Sequence, residues 1–171
     1  MAKYSKIKNF CISNGDGIGV SFFFTGCDAN PKCKGCFNSE LWDKNVGTEI
    51  VGETFETLEN MMSNPHIDHI SFLGGEPFTD YNYPTIANYT VVLKALFPEK
   101  KIWVWTWRQY EDIFQDKERK KVLPYIDYLV DGRYIAEKRD LSLKYCGSTN
   151  QRVIDVQKSL KENKVILKEE G

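Results

Sequence analysis

Cys27, Cys33 and Cys36 lie within ten residues, in the run Thr25-Gly-Cys-Asp-Ala-Asn-Pro-Lys-Cys-Lys-Gly-Cys-Phe-Asn38. The chain has five cysteines, so three of them form a concentrated set of soft ligands. Three thiolates on a short loop can hold an iron–sulfur cluster and leave one iron without a protein ligand, whereas a fourth would close the site. An open iron is a place for chemistry. Spacing alone leaves two other readings open, inert thiols and a Cys3His zinc site completed by His66 or His69, the only histidines. Cys11 and Cys146 stand alone and read as small buried hydrophobes.

Gly74-Gly75-Glu76-Pro77 is the second motif. Paired glycines let backbone approach a ligand without interference from Cβ, and the proline fixes the turn. Exposed amides and carbonyls there can bind an amino-acid head group, and Glu76 adds a carboxylate. Taken alone, the four residues are equally consistent with a tight turn. The cluster Gly15-Asp-Gly-Ile-Gly19 precedes an apolar run instead of following one, so it lacks the context of a dinucleotide site.

These residues need elements to hold them. Gly19 to Phe24, Ile67 to Leu73, Lys101 to Thr106 and Tyr125 to Val130 read as strands. Thr54 to Ser63, Tyr83 to Phe97 and Tyr110 to Leu123 read as helices. The alternation predicts an α/β fold with parallel strands and helices packed outside them, closing or partly closing into a βα barrel. Cys27, Gly74, Thr106 and Asp131 each end or follow a strand, on the face where such architectures place their active sites. Within the third strand Trp103 and Trp105 share a face with Trp107, opposite Val104 and Thr106. Their bulk suggests the outer face beneath helices, where they serve as core packing.

At 171 residues and 42% hydrophobic content the chain can fill one core, and neither a linker nor a repeat divides it, so residues 1–171 are expected to form a single domain. A net charge of −1 offers no basic field for nucleic acid. No apolar run approaches a membrane span, and Met1 to Asn9 lacks the apolar core of a secretion signal. A reducing, cytoplasmic setting is therefore expected.

The cysteine loop followed by Gly74-Gly75-Glu76-Pro77 resembles the radical S-adenosylmethionine enzymes. Within them it resembles the activating proteins of anaerobic ribonucleoside-triphosphate reductases. Asn14-Gly15-Asp16-Gly17, Gly35-Cys36-Phe37-Asn38, Trp103 to Thr106, Leu129 to Gly132 and above all Arg139 to Asp155 support the likeness, which runs from Asn14 to about Leu160. Two departures stand out. The family spacing is Cys-x3-Cys-x2-Cys, but here the first gap holds five residues, Asp28 to Lys32, and Cys146 stands where arginine is usual.

The resemblance implies a [4Fe–4S] cluster on Cys27, Cys33 and Cys36, with the open iron taking the amino and carboxylate groups of S-adenosylmethionine. Gly74, Gly75 and Glu76, with the turn at Pro77, would hold the methionyl end. Phe37 would pack on adenine, with Gly35, Cys36 and Asn38 beside it, and Thr106 and Asp131 would approach ribose or sulfonium. Reduction by a flavodoxin-type donor would cleave the cofactor to methionine and a 5′-deoxyadenosyl radical. That radical would take a hydrogen from the Cα of a glycine in the reductase's large subunit. No side chain is needed as a general acid or base. A full barrel takes about 250 residues, so this chain implies a truncated one whose open side suits a glycine loop. Two other functions fit the residues less fully: activation of another glycyl-radical enzyme, and a zinc-stabilised Cys3His binding module.

Overall fold

All six residues of Gly19–Phe24 are buried, as befits a strand covered on both faces. In the computed structural model, which describes residues 1–169, this is strand β2 of a seven-stranded sheet. The others are β1 (Lys3–Cys11), β3 (Thr48–Glu49), β4 (His69–Gly74), β5 (Lys101–Trp105), β6 (Tyr128–Asp131) and β7 (Arg152–Asp155). Their spatial order is β3-β1-β2-β4-β5-β6-β7. The central four, β2, β4, β5 and β6, are parallel; β1 on one side and β7 on the other run antiparallel to them, and the short β3 pairs antiparallel with β1 at the outer edge. The expected βα alternation thus holds in the middle of the sheet, and antiparallel strands flank it.

Helix α1 (Gly52–Met62) joins β2 to β4, and α2 (Tyr83–Leu96) joins β4 to β5. A third, α3 (Tyr110–Gln115), with the 3-10 turn Arg119–Tyr125, joins β5 to β6; α4 (Val156–Glu162) follows β7. All pack on one face, against Val20, Phe22, Phe24, Ile70, Phe72, Ile102, Val104, Leu129 and Ile154. None of the described helices is long and apolar enough to cross a membrane.

Three expectations are corrected. The single helix from Tyr110 to Leu123 breaks at Asp116, whose extended backbone ends α3. Its carboxylate accepts the amides of Glu118 and Arg119 at 2.9 and 3.0 Å, a local bond that competes with helix continuation. The strand expected over 125–130 begins only at Tyr128, because the 3-10 turn continues through Pro124 to Tyr125. Finally, Trp103 and Trp105 lie on the face opposite the helices. Alternation puts them across from Val104 but does not say which face the helices cover. The branched side chains fill the helix layer, while the Trp103 ring packs 4.7 Å from Tyr128 and 4.8 Å from Tyr145. Core packing of Trp103 holds, since it is buried; Trp107, beyond the strand, does not share in it.

The strand β1 was hidden by its composition. Its lysines alternate with apolar residues, so that Tyr4 and Ile7 join the core while Lys6 and Lys8 reach over the Phe23 ring at 4.8 and 5.7 Å. Lysine suits a strand whose outer edge is covered only by the two-residue β3.

Candidate functional site

The carboxyl ends of β2, β4, β5 and β6 carry Cys27, Gly74, Thr106 and Asp131, so the parallel register gathers the four predicted positions on one edge of the sheet. The cysteine loop is closed at its root, where the Gly26 and Cys27 amides donate to the carbonyls of Leu41 and Trp42 at 2.7 and 3.1 Å. Within it, the Cys36 amide donates to the Cys33 carbonyl at 3.2 Å, and Gly35 between them takes the left-handed φ of 76° that this turn needs. Asn38 accepts the Leu41 amide at 2.9 Å and starts the 3-10 turn Ser39–Leu41 that leads out of the loop.

Gly74 and Gly75 are required by backbone proximity. A Cβ on Gly74 would stand 2.5 Å from the Phe24 carbonyl oxygen, and one on Gly75 would stand 2.3 Å from that of Gly26. The Gly75 amide donates to Phe24 at 2.9 Å and the Glu76 amide to Gly26 at 2.7 Å, so this loop grips the root of the cysteine loop. Asn82 reinforces the grip, donating to the carbonyls of Thr25 and Glu76 at 2.9 and 3.0 Å. Pro77 is buried behind it.

Glu76 is 1% exposed. Its carboxylate accepts the Phe78 and Trp107 amides at 2.8 and 2.9 Å and the Thr106 hydroxyl at 2.9 Å, and Arg108 Nη1 lies 3.4 Å away. Burial pushes the carboxyl above its ordinary value, against the opposing pull of Arg108 and these donors. The side chain expected beside a ligand is thus spent on joining the β4 and β5 loops, and Thr106 is its partner. Asp131, also 1% exposed, accepts the Tyr110 amide at 2.8 Å and is paired with Arg152 at 2.5 and 3.0 Å. Arg152 also clasps Glu111 at 2.8 and 3.0 Å.

Phe37 is 54% exposed, with Tyr134 at 5.0 Å and the Arg139 guanidinium at 5.4 Å. A Cβ on Gly147 would fall 2.7 Å from the Phe37 ring, so that glycine makes room for it. Sequence reasoning missed Asn82, Trp107, Arg108 and Tyr134. An asparagine ahead of Tyr83-Pro84 was a helix-start signal, but nothing local marked its bonds to Thr25 and Glu76.

The donor set fits a cluster. The three thiols are unpaired and half-buried on one loop. Lys32 Nζ contacts the Cys27 carbonyl, and Arg133 contacts that of Pro31, so two cations border the cysteine loop. Burial pushes the Cys27 thiol up to about 11, so metal binding there must displace a proton. Among the described residues no three His, Cys, Asp or Glu side chains converge on a single-ion site. Cluster thiolates bind separate irons and need not so converge; zinc ligands must. His69 opens β4 opposite Gly19, and β2 then runs to Phe24 before Cys27. That is roughly 16 Å of strand at ~3.3 Å per residue, and the His69 Nε2 faces the Asn14 carbonyl at 2.8 Å. His66 precedes the same strand end. The Cys3His alternative therefore has no histidine within reach.

Comparisons with known proteins agree with this geometry. A family model described as 4Fe-4S single cluster domain matches residues 13–154. The anaerobic ribonucleoside-triphosphate reductase-activating protein of Enterobacteria phage T4 is 36% identical over 152 residues, covering 88% of this chain and 92% of its own. The protein of that name from Haemophilus influenzae is 33% identical over 142 residues, covering 82% and 89%. That from Escherichia coli K12 is 32% identical over 144 residues, covering 83% and 91%. No solved structure matches the chain. With the cysteine loop, the glycine pair and the Arg152 region all inside the matched span, the chain belongs to the family of anaerobic ribonucleoside-triphosphate reductase-activating proteins with a single 4Fe-4S cluster domain.

Proposed function

We propose that the chain is a radical S-adenosylmethionine activase that generates a glycyl radical on the large subunit of an anaerobic ribonucleoside-triphosphate reductase. The observation that carries this reading is the pair of bonds from Gly75 and Glu76 to Phe24 and Gly26, which joins the two motifs into one site. Cys27, Cys33 and Cys36 would hold the cluster. When bound, the cluster and S-adenosylmethionine supply a one-electron cleavage of the cofactor and removal of a hydrogen atom from a partner glycine. The chain itself binds and orients. The half-buried turn of Gly74 and Gly75 would take the methionyl group, with Glu76 and Pro77 fixing that turn from behind. Phe37, between Gly35, Cys36 and Asn38 in the loop, presents an exposed ring for adenine. Thr106 and Asp131 stand at the adjoining strand ends for the ribose and sulfonium, where their protein partners make them positioning groups first.

We take residues 1–171 as a single activase domain built on a truncated βα barrel. Consecutive parallel strands with all their helices on one face support that reading, since a doubly wound sheet carries helices on both. A flavodoxin-type protein is the proposed electron donor and the cytoplasm the proposed setting.

The test is anaerobic reconstitution with iron and sulfide, then addition of S-adenosylmethionine, reductant and the reductase. A reduced-cluster resonance that changes with S-adenosylmethionine, release of 5′-deoxyadenosine, and a glycyl-radical signal on the reductase are expected. Cofactor cleavage with a radical only on another glycyl-radical enzyme would move the assignment to that partner. A colourless protein holding one zinc would overturn the enzyme reading.

A further inference from the structure

We propose that Asp28, Trp107 and Arg108 form a clamp that fixes the lengthened first arm of the cysteine loop, making Trp107 and Arg108 positioning residues for Cys27 and Cys33. The proposal rests on the cluster reading above but concerns a feature outside it: the five residues, Asp28 to Lys32, that separate the first two thiols. A longer gap admits more loop conformations, so it needs ties that a shorter one does without.

The ties are visible. Asp28 accepts from Arg108 Nη2 at 2.5 Å and Nη1 at 3.2 Å, and from Trp107 Nε1 at 3.0 Å. A guanidinium facing both oxygens of one carboxylate fixes direction as well as distance. Arg108 is itself constrained, because its Nη1 lies 3.4 Å from buried Glu76 and its guanidinium carbon sits 4.7 Å from the Trp107 ring centroid. Arg133 approaches the same ring at 5.6 Å and reaches the Pro31 carbonyl at the other end of the gap. Between these anchors Ala29 is buried. One indole and two arginines thus grip the extra residues on both sides of Asn30.

Glu76 gives the clamp its reach. It ties Arg108 to the glycine loop, and that loop ties back to Gly26, one residue before Cys27. Cys27 is therefore held from its amino side by the Gly26 bonds and from its carboxyl side by Asp28. The Asp28 pair is partly exposed, so its energy is modest; its value lies in selecting one loop path.

The test uses the full chain with Asp28→Ala, Trp107→Phe, Arg108→Gln and the double variant Asp28→Ala/Arg108→Gln. Trypsin cleavage at Lys32 and Lys34 is timed on the metal-free protein, with thermal midpoint and far-UV circular dichroism as fold controls. Iron and sulfide per chain and the reduced-cluster resonance are then read after reconstitution. Expected are cleavage about fivefold faster in Asp28→Ala, a smaller rise in Trp107→Phe, and a double variant no faster than the faster single one. Iron content should fall and the resonance broaden while the fold controls stay near wild type. Arg108→Gln also strips a cation from Glu76 and can lower the midpoint; Asp28→Ala leaves Glu76 untouched and keeps the test decisive. Wild-type cleavage rates in Asp28→Ala, or additive effects in the double variant, would overturn the clamp. A wild-type protein that takes up no iron, yet whose loop opens in the variants, would overturn the cluster reading and leave the clamp standing.

Discussion

The Glu76 amide donates to the Gly26 carbonyl at 2.7 Å. The two residues are 50 positions apart in the sequence, yet this bond places the glycine loop one residue from Cys27. The close approach that makes the bond possible is also what makes the site sensitive to a single methyl group.

Gly75→Ala would place Cβ 2.3 Å from the Gly26 oxygen, a backbone atom that cannot swing away. We expect a loss of about 2–3 kcal/mol in urea unfolding together with reduced iron loading. Gly35→Ala meets nothing closer than 3.6 Å and should cost only its left-handed strain, about 1–2 kcal/mol. Gly52→Ala, with open space around it at the start of α1, should stabilise by about 0.5 kcal/mol. An equal effect at Gly75 and Gly52 would refute the proximity argument.

Thr106→Val removes the hydroxyl that donates to both Glu76 oxygens at 2.9 Å. The buried carboxylate loses a donor, which costs about 1–3 kcal/mol, whereas Thr106→Ser should stay near wild type. Denaturation midpoints of the two variants decide the matter. Identical stability would mean that the hydroxyl is free for a ligand.

Arg152 joins a buried and an exposed carboxylate, so its two partners should behave differently. Arg152→Met strands Asp131 without its cation and should cost about 3–5 kcal/mol. Glu111→Gln breaks only the outer pair and should cost less than about 1 kcal/mol. The hydrogen bond from Arg152 holds the Glu111 carboxyl below its ordinary value, so its small contribution is present above that value and is lost as the pH falls through the lowered one. Titration of Glu111 by carbon NMR should show it return toward the ordinary value in Arg152→Met. No change would disprove the coupling.

His66→Ala and His69→Gln should leave iron per chain unchanged, while serine at Cys27, Cys33 or Cys36 abolishes loading. Burial holds the His69 imidazole below its ordinary value, so the neutral ring donates from Nε2 to the Asn14 carbonyl at 2.8 Å. Loss of bound metal in either histidine variant would revive a zinc site.

Local pattern made much of this protein legible. Soft ligands six and three residues apart point to a candidate metal-binding loop whatever the fold, because ligand chemistry depends on residue type and short-range reach. Apolar runs broken by glycine and proline placed β2 and β5 within a residue of their observed bounds, since alternation and turn chemistry are also local. The tertiary structure decided the rest. Alternation separates Trp103 from Val104 but is symmetric between faces, so only the docking of α1 and α2 put the valine under the helices. Asp131 and Arg152 are 21 residues apart and Asp28 and Arg108 are 80 apart, distances over which no periodicity carries information. Glu76, which looked like a ligand beside two glycines, became a buried joint because strand register brought Thr106 and Trp107 to it. Side-chain chemistry names what a residue can do. Which partner reaches it first depends on how the strands are aligned.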